Sequence, residues 1–316
     1  MRRLIWVQHL AMLLLLSLCG WAIADDHEDD ETPADPMANV EIKSSEVRDG
    51  IYMLTGRGGN IGLATGNEAT FIVDDQYAPL TERIVAAIAG ITDRPVDYIL
   101  NTHWHFDHTG GNENFGERGA IILAHDNVRK RMATGQYMKA FDMQIEPSPD
   151  VALPVITFDS KLTLHVNDQT IRGIHVHHAH TDGDTIVVFE EANVMHLGDT
   201  YFNGLYPFID LESGGSVDGM IRSAAKVLEM TNEDTLIIPG HGPLSTPAEL
   251  QSYHDMLKGI RDNVAALIAE GKSLEDVVAA KPSAAFDETA NRFGFLTPDQ
   301  FTTTVFTSLT MDASQQ

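Results

Sequence analysis

Apolar and polar positions alternate in the first third of the chain. Short apolar runs separated by glycine-rich turns lie at 51–54, 61–64 and 69–73. Alternation with a period of two is typical of strands, so this region predicts a β-meander. At 79–91 the period changes to helical spacing, which predicts an amphipathic helix. The apolar residues of that helix are Leu80, Ile84, Ala87 and Ile88.

Strand and helix patterns continue to alternate along the rest of the chain. Predicted strands lie at 97–100, 120–123, 155–158, 161–166, 171–178, 185–189, 193–197 and 236–238. Predicted helices lie at 127–132, at 217–230 and in the tail from Pro247, including 274–278 and 298–309. Residues 134–153 have no strong period and predict a loop or flap. Strands and helices alternate in two successive blocks, which implies an α/β fold whose sheets are covered by helices.

The first 24 residues have the pattern of a secretory signal peptide. Arg2 and Arg3 precede an apolar stretch that ends in small residues at Ala24. The uninterrupted apolar part is shorter than the roughly 20 residues of a membrane span, so cleavage is favoured over a retained anchor. A lipoprotein with a lipidated Cys19 is the third alternative, disfavoured because a bulky residue precedes the cysteine. We therefore expect a periplasmic or secreted protein without stable membrane insertion.

Acidic residues dominate the chain beyond this segment. Residues 25–39 begin with a run of acids and predict a solvated, disordered leader, or a metal-scavenging tail for which His27 is the only support. Without residues 1–24, 19 Lys and Arg would face 46 Asp and Glu, a net charge of about −27. This charge repels phosphates, so nucleic acid and anionic membranes are not expected as partners.

Cysteine usage restricts the chemistry that is open to the protein. The single cysteine, Cys19, lies in the segment expected to be removed. The mature chain of about 290 residues is long enough to build a core without disulfides. Any metal ligand or nucleophile must therefore come from another residue type.

The strongest local feature is a group of four potential metal ligands within six residues. His103, His105, Asp107 and His108 follow directly after a predicted strand. On an extended or tightly turned segment His103 and His105 project to one side and can reach one cation, while Asp107 and His108 can reach a second. Imidazole and carboxylate ligands suit zinc, with iron or manganese as alternatives. A small-molecule substrate is the expected partner.

Three further segments place a histidine or aspartate beside glycine where a predicted strand meets a loop: 178–184, 196–200 and 237–243. Together with the first motif they resemble the metallo-β-lactamase superfamily. The family's H-x-H-x-D-H motif is matched at 103–108, and its later ligands are matched by His180, Asp199 and His241. The resemblance covers roughly residues 45–245. It implies a four-layer αββα sandwich at 40–245, with residues 246–316 as a helical extension packed on it.

The resemblance also implies a role for each ligand. His103, His105 and His180 would hold one zinc, while Asp107, His108 and His241 would hold the other, with Asp199 bridging. Two such metals share a water and lower its pKa, which supplies hydroxide as the nucleophile. Asp107 and Asp199 are the predicted catalytic residues. No G-x-S-x-G serine motif offers another nucleophile.

The substrate is less strongly specified than the metal site. The absence of a cysteine ligand excludes one branch of zinc β-lactamases, and Asp199 resembles the bridging aspartate of glyoxalase-II-type thioesterases and lactonases. No lysine follows Asp199 before Lys226, which weakens a β-lactamase role. We expect hydrolysis of an amide, ester or lactone. The alternatives are a glyoxalase-II-like thioesterase and an iron-dependent oxidoreductase or sulfur-handling enzyme.

Residues 201–215 follow the predicted bridging aspartate and contain several aromatic side chains. We expect four residues of this segment to line the substrate cleft: Tyr201, Asn203, Tyr206 and Phe208. Packing of the same side chains against the core is the alternative. His175, His177 and His178 are interpreted as packing or ligand-supporting residues. Four further histidines are interpreted as structural or surface residues: His125, His165, His196 and His254.

Overall fold

Two β-sheets form the centre of the fold. The computed structural model describes residues 35–290 and 292–311. Within them the first sheet contains seven strands: β1 (Lys43–Arg48), β2 (Ile51–Thr55), β3 (Ile61–Thr65), β4 (Thr70–Val73), β5 (Tyr98–Leu100), β6 (Ile121–His125) and β9 (Ile156–Phe158). Strands β1 to β4 pair antiparallel in chain order, and β4, β5, β6 and β9 pair parallel.

The second sheet contains five strands: β10 (Lys161–Val166), β11 (Gln169–His175), β12 (Thr185–Phe189), β13 (Val194–His196) and β14 (Leu236–Ile238). Strands β10 to β13 form an antiparallel meander, whereas β13 and β14 are parallel. A separate antiparallel hairpin consists of β7 (Gln136–Met138) and β8 (Met143–Ile145).

Helices cover the outer faces of both sheets. They are α1 (Thr81–Ala89), α2 (Phe106–Thr109), α3 (Asn112–Glu117), α4 (Asp126–Met132), α5 (Val217–Met230), α6 (Pro247–Ala269), α7 (Leu274–Ala279), α8 (Asp287–Ala290) and α9 (Pro298–Thr310). The long helix α6 begins with a capping box, in which Thr246 and Glu249 each satisfy the other's backbone N–H. Helix α9 begins in the same way, with Thr297 and Gln300.

Alternating side chains in the strands create the layers. In β4, Phe71 points between the sheets and meets the ring of Phe189 edge-on at 6.3 Å, whereas Ile72 packs in the cluster under α1. In β14, Ile238 lies between the sheets and Ile237 faces the cluster that contains α5 and α6. Successive residues of a strand point to opposite faces, and successive residues of the central strands are apolar. Each central strand is therefore apolar on both sides. The result is the αββα sandwich that the resemblance implies.

Most predicted elements are confirmed, including the meander, α1, α5 and β14. Residues 134–153, predicted as a loop or flap, contain the hairpin β7–β8, whose strands are too short to show a clear period. Strand β11 ends at His175 rather than at 178, because the chain turns there, with His178 at a φ of 51°. Strand β1 was not predicted, because its exposed residues are largely polar.

Several expectations concern the ends of the chain. The signal peptide lies outside the described residues, and so does the leader up to residue 34. At the described end of that leader the Met37 carbonyl accepts the Arg83 guanidinium at 2.5 Å, and the adjoining Val40 carbonyl accepts it at 3.0 Å. Among the described helices, none is both long and apolar enough to cross a membrane. The described residues from 36 onward cluster as one unit, so a boundary at 245 stays a prediction.

Replacing Phe301 of α9 with alanine should lower the free energy of unfolding by about 3–5 kcal/mol. The ring is fully buried and stacks on Tyr206, with 4.8 Å between centroids. Urea unfolding followed by circular dichroism measures the change. The matched control Phe293→Ala removes an exposed ring and should cost less than about 1 kcal/mol. Equal losses would mean that α9 is not part of the core.

Stability should also depend on the protonation of His175. Burial lowers the pKa of His175 to about 4, although its Nδ1–H donates to the Asp184 carbonyl at 2.8 Å. An unfolded histidine takes up its proton near pH 6.5. The contribution of His175 to stability is therefore complete above about pH 6.5 and is lost as the pH falls towards about 4.

His175→Asn should flatten this part of the pH dependence, because the amide does not titrate. Urea midpoints at pH 7 and pH 5 measure it, with wild type and variants compared free of metal. The control is His165→Asn, at an exposed site on β10. A pH dependence unchanged in His175→Asn would contradict the assignment.

Candidate metal centre

Four loops meet at one end of the sandwich, each following a strand. The loop after β5 carries the 103–108 motif, and the loop between β11 and β12 carries His180. Asp199 follows β13 and His241 follows β14, and the parallel pairing of these strands places both residues at the same edge. Gly240 allows the close approach, because a Cβ there would lie 2.1 Å from Asp199 Oδ1.

His103, His105 and His180 form one group, here called the three-histidine cluster. All three side chains are buried. Each offers one nitrogen, and these atoms and one oxygen of Asp199 all lie within 4.8 Å of one another. His180 Nε2 is 2.9 Å from His105 Nδ1. Three imidazole nitrogens that point at one space are typical of a zinc site with an open fourth position.

Asp107, His108 and His241 form the second group, here called the aspartate–histidine cluster. His108 Nε2 is 3.3 Å from His241 Nε2, and His241 Nε2 is 3.4 Å from Asp107 Oδ2. His108 is fully buried, while Asp107 and His241 are partly exposed. The three candidate ligand atoms therefore converge from one buried side chain and two partly exposed side chains.

Asp199 lies between the two clusters and turns one oxygen towards each. Its Oδ2 is 3.6 Å from His180 Nε2 and 3.9 Å from His103 Nε2. Its Oδ1 is 3.0 Å from His108 Nε2 and 3.3 Å from His241 Nε2. This is the placement that a bridging carboxylate requires.

The outer nitrogen of each buried histidine has a partner that fixes the ring. His105 Nε2–H donates to Asp210 Oδ2 at 3.0 Å, and His180 Nδ1–H donates to the Phe208 carbonyl at 2.8 Å. His108 Nδ1–H donates to Asp74 Oδ2 at 2.8 Å. Such partners leave the inner nitrogen as the lone-pair donor and orient it.

Sequence reasoning missed two of these partners, Asp74 and Asp210. Asp74 Oδ2 also accepts the Thr102 hydroxyl at 2.8 Å, and Thr102 Oγ1 lies 3.0 Å from His103 Nδ1. The available signal for Asp74 was an acid directly after the apolar strand β4. Asp210 follows Phe208 and Ile209 in a loop, and no periodicity marks it.

The buried polar atoms fit a divalent metal. His103 Nε2 and Asp199 Oδ1 are buried without a hydrogen-bond partner of acceptable geometry. Buried polar atoms are nearly always paired, so unpaired ones that face a cluster of lone pairs indicate a missing positive charge. The donor set of imidazole nitrogens and carboxylate oxygens suits zinc and related divalent ions.

The histidine pKa values are shifted in opposite directions in the two clusters. Burial lowers the pKa of His103 well below its ordinary value and that of His180 to about 4, so both rings stay neutral. Burial acts in the same direction on His241, but the Asp199 carboxylate outweighs it and raises the pKa of His241 to about 9. Desolvation opposes ionisation of Asp199, yet His241 and His108 hold the pKa of Asp199 well below its usual range. Against the effect of burial, the Asp199 carboxylate also raises the pKa of His108, so in the absence of a metal His108 and His241 hold protons beside it, and a bound cation would take the place of these protons.

A cavity of about 650 Å³ opens directly over both clusters. His105, Asp107, Asp199 and His241 contribute to its lining. Phe208, one of the four residues predicted for the substrate cleft, also lines this cavity.

The other predicted cleft residues do not line this cavity, which corrects the prediction. Tyr201 and Tyr206 are fully buried, and their hydroxyls bond to Ser245 at 2.7 Å and to Asp287 at 2.6 Å. The Asn203 side chain donates to the Pro243 carbonyl at 3.1 Å and borders a different, smaller pocket. These partners lie far along the chain and turn the three side chains away.

The remaining histidines near the motif segments lie outside both clusters. His175 contacts His177 at 3.1 Å, and His178 Nδ1 lies 2.9 Å from the Gly214 carbonyl. His196 Nε2–H donates to the Asn60 carbonyl at 3.0 Å. Of the four neighbouring histidines at 175–180, the structure thus brings His180 to the cluster.

Residues 54–241, more than half of the chain, match the family model described as the metallo-beta-lactamase superfamily. The chain belongs to this superfamily. A hydroxyacylglutathione hydrolase from Polaromonas sp. is 29% identical over 165 residues, which cover 52% of this chain and 55% of that protein. A probable metallo-hydrolase, YqgX, from Bacillus subtilis is 27% identical and matched over 51% of this chain and 75% of its own length.

Solved structures show the same fold. A metallo-beta-lactamase from Pontibacter korlensis superposes with a TM-score of 0.56 at 15% identity, covering 69% of this chain and 99% of that one. The sec-alkylsulfatase of a Pseudomonas species superposes with a TM-score of 0.66 at 14% identity, covering 84% of this chain and 50% of that one. The match to the hydroxyacylglutathione hydrolase spans only about half of that protein's length. The solved structures therefore show the fold, and the match to the family model shows the family.

Asp210→Asn should weaken zinc binding at the three-histidine cluster by about 10–100-fold. The Asp210 carboxylate accepts from His105 and, despite its burial, the hydrogen bond from His105 helps to hold its pKa at about 2. An amide would keep the shape but lose the negative charge that supports the imidazole. Competition against a chromophoric chelator measures the affinity.

The matched control for this experiment is Glu212→Gln, an exposed carboxylate two residues further on. It should bind zinc like the wild type. Equal affinities in all three proteins would show that Asp210 does not support the His105 ring.

Proposed function

We propose that this protein is a metal-dependent hydrolase that opens an ester, lactone or amide bond of a small molecule. The two clusters would hold one divalent ion each, zinc before iron or manganese. The observation that carries this proposal is Asp199, which turns one carboxylate oxygen to each cluster at 3.0–3.9 Å. A buried carboxylate in that position supports a paired site rather than a single ion.

The bound metals would supply polarisation of the substrate carbonyl and a water of lowered pKa. The protein's own residues set the geometry for this chemistry. Asp199 fixes the separation of the two clusters, and the buried rings behind it are locked by Asp74 and Asp210. A site held this rigidly needs little rearrangement during the reaction.

Asp107 is a candidate ligand that is accessible from the cavity. Its side chain is 20% exposed and lines the cavity above both clusters. Burial disfavours its ionised form, but His108 and His241 outweigh this effect and lower its pKa. The Asp107 carboxylate is therefore an acceptor that can orient a water at the floor of the cavity.

A second candidate is hydrolysis of a thioester. The similarity to a hydroxyacylglutathione hydrolase favours it. The lining of the cavity argues against a large polyanionic substrate, because Arg57 is its only lysine or arginine among the described residues. Thioesters with an uncharged acyl group remain compatible with this lining.

The decisive experiment is a hydrolysis screen of zinc-loaded protein against ester, lactone, β-lactam and thioester substrates. We expect turnover in at least one class and two zinc ions per chain by metal analysis. Asp199→Asn should lower kcat/KM by at least about 100-fold, or about 2.7 kcal/mol, and reduce metal occupancy while leaving the circular dichroism spectrum unchanged.

The matched control is Asp93→Asn, which changes an exposed carboxylate in the same way. It should retain both turnover and metal. Full activity of Asp199→Asn would contradict the bridging role, and one iron per chain with oxygen consumption would replace hydrolysis by redox chemistry.

A further inference from the structure

Exposed aromatic rings gather around the mouth of the cavity. Phe141 is 47% exposed, Phe293 61% and Phe295 49%, and all three line the cavity above the metal clusters. They come from two separate segments, the tip of the β7–β8 hairpin and the loop between α8 and α9. Exposed apolar side chains that converge from separate segments mark a binding surface.

One wall of the cavity starts at the three-histidine cluster. The ring of Phe208 lies 5.9 Å from the rings of both His105 and His180. Phe141 at the hairpin tip packs on Phe208, with 5.1 Å between centroids. An unbroken apolar surface therefore runs from the metal ligands to the outer edge.

The opposite wall starts at the aspartate–histidine cluster. Phe202 stacks on His241, with 5.1 Å between centroids and 17° between planes. Phe295 in turn lies nearly parallel to Phe202 at 6.5 Å. The two walls thus begin on ligands of different clusters and enclose the space directly above Asp199.

The cavity between the walls has the size and composition of a site for an apolar group. Its volume of about 650 Å³ is within the range of pockets that bind small organic molecules. Methionines of the hairpin, Met138 and Met143, add flexible apolar surface. Polar side chains are concentrated at the floor, where the reaction would occur.

We propose that the two walls act as an aromatic clamp that selects substrates with a bulky apolar group next to the scissile bond. This inference rests on the proposed function, because the clamp holds the part of the substrate that the reaction leaves unchanged. Each methylene buried between the walls should improve affinity by about fourfold. Phe141 and Phe295 are the specificity-determining residues.

The binding test uses straight-chain carboxylates from four to eight carbons and zinc-loaded full-length protein in a calorimeter. The wild type should show affinity that rises with chain length. Phe141→Ala and Phe295→Ala should flatten that rise, and Phe141→Leu should restore most of it, because an apolar side chain returns. These exposed rings can be removed without unfolding the core, and circular dichroism verifies this.

Tyr137→Ala is the matched control. Tyr137 is a 52% exposed ring on the same hairpin, and it does not line the cavity. It should keep the dependence on chain length. A flat response in the wild type, or an equal loss in Tyr137→Ala and Phe141→Ala, would overturn the clamp.

A parallel series of esters with acyl chains of two to eight carbons separates this inference from the proposed function. We expect kcat/KM to rise with acyl length in the wild type and to level off in the two alanine variants. Hydrolysis without any preference for length would refute the clamp and leave the hydrolase proposal standing. Absence of hydrolysis both in this series and in the screen of ester, lactone, β-lactam and thioester substrates, together with length-dependent carboxylate binding, would refute the hydrolase and leave the clamp.

Discussion

The convergence of seven donor side chains on a small buried volume is the constraint on which this structure depends. Lone pairs and carboxylate charge that face one another at 3–4 Å repel unless protons or cations lie between them. The protein tolerates this arrangement because the surrounding backbone is fixed by two sheets. The four ligand loops are short continuations of strands, so the rigidity of the sandwich passes directly to the ligands.

The fold and the convergence of the first group of candidate ligands could be predicted because their signals are local. Alternation reveals central strands, and four ligand types within six residues at a strand end have few structural explanations. Later ligands such as His180 could be chosen from among neighbouring histidines only through the family resemblance. Geometry gives the physical reason, since the chain turns after His175 and aims His178 outward while His180 returns to the interior.

Side-chain direction in loops could not be predicted in the same way. Tyr201 and Tyr206 belong to an aromatic-rich segment, yet they point inward because Ser245 and Asp287 satisfy their hydroxyls. Those partners lie 44 and 81 positions away. The cavity is lined instead by segments without periodicity, the hairpin tip and the loop before α9. Such loops are free to vary over a fixed scaffold, which is why substrate preference is harder to predict than chemistry.

Asp74 supports a histidine of each cluster. A single oxygen of this carboxylate accepts both His108 of one cluster and the Thr102 hydroxyl that supports His103 of the other. The orientations of His108 and His103 therefore depend on the same side chain. Loss of this one carboxylate would release a histidine of each cluster, so a change at Asp74 would disturb both clusters rather than one.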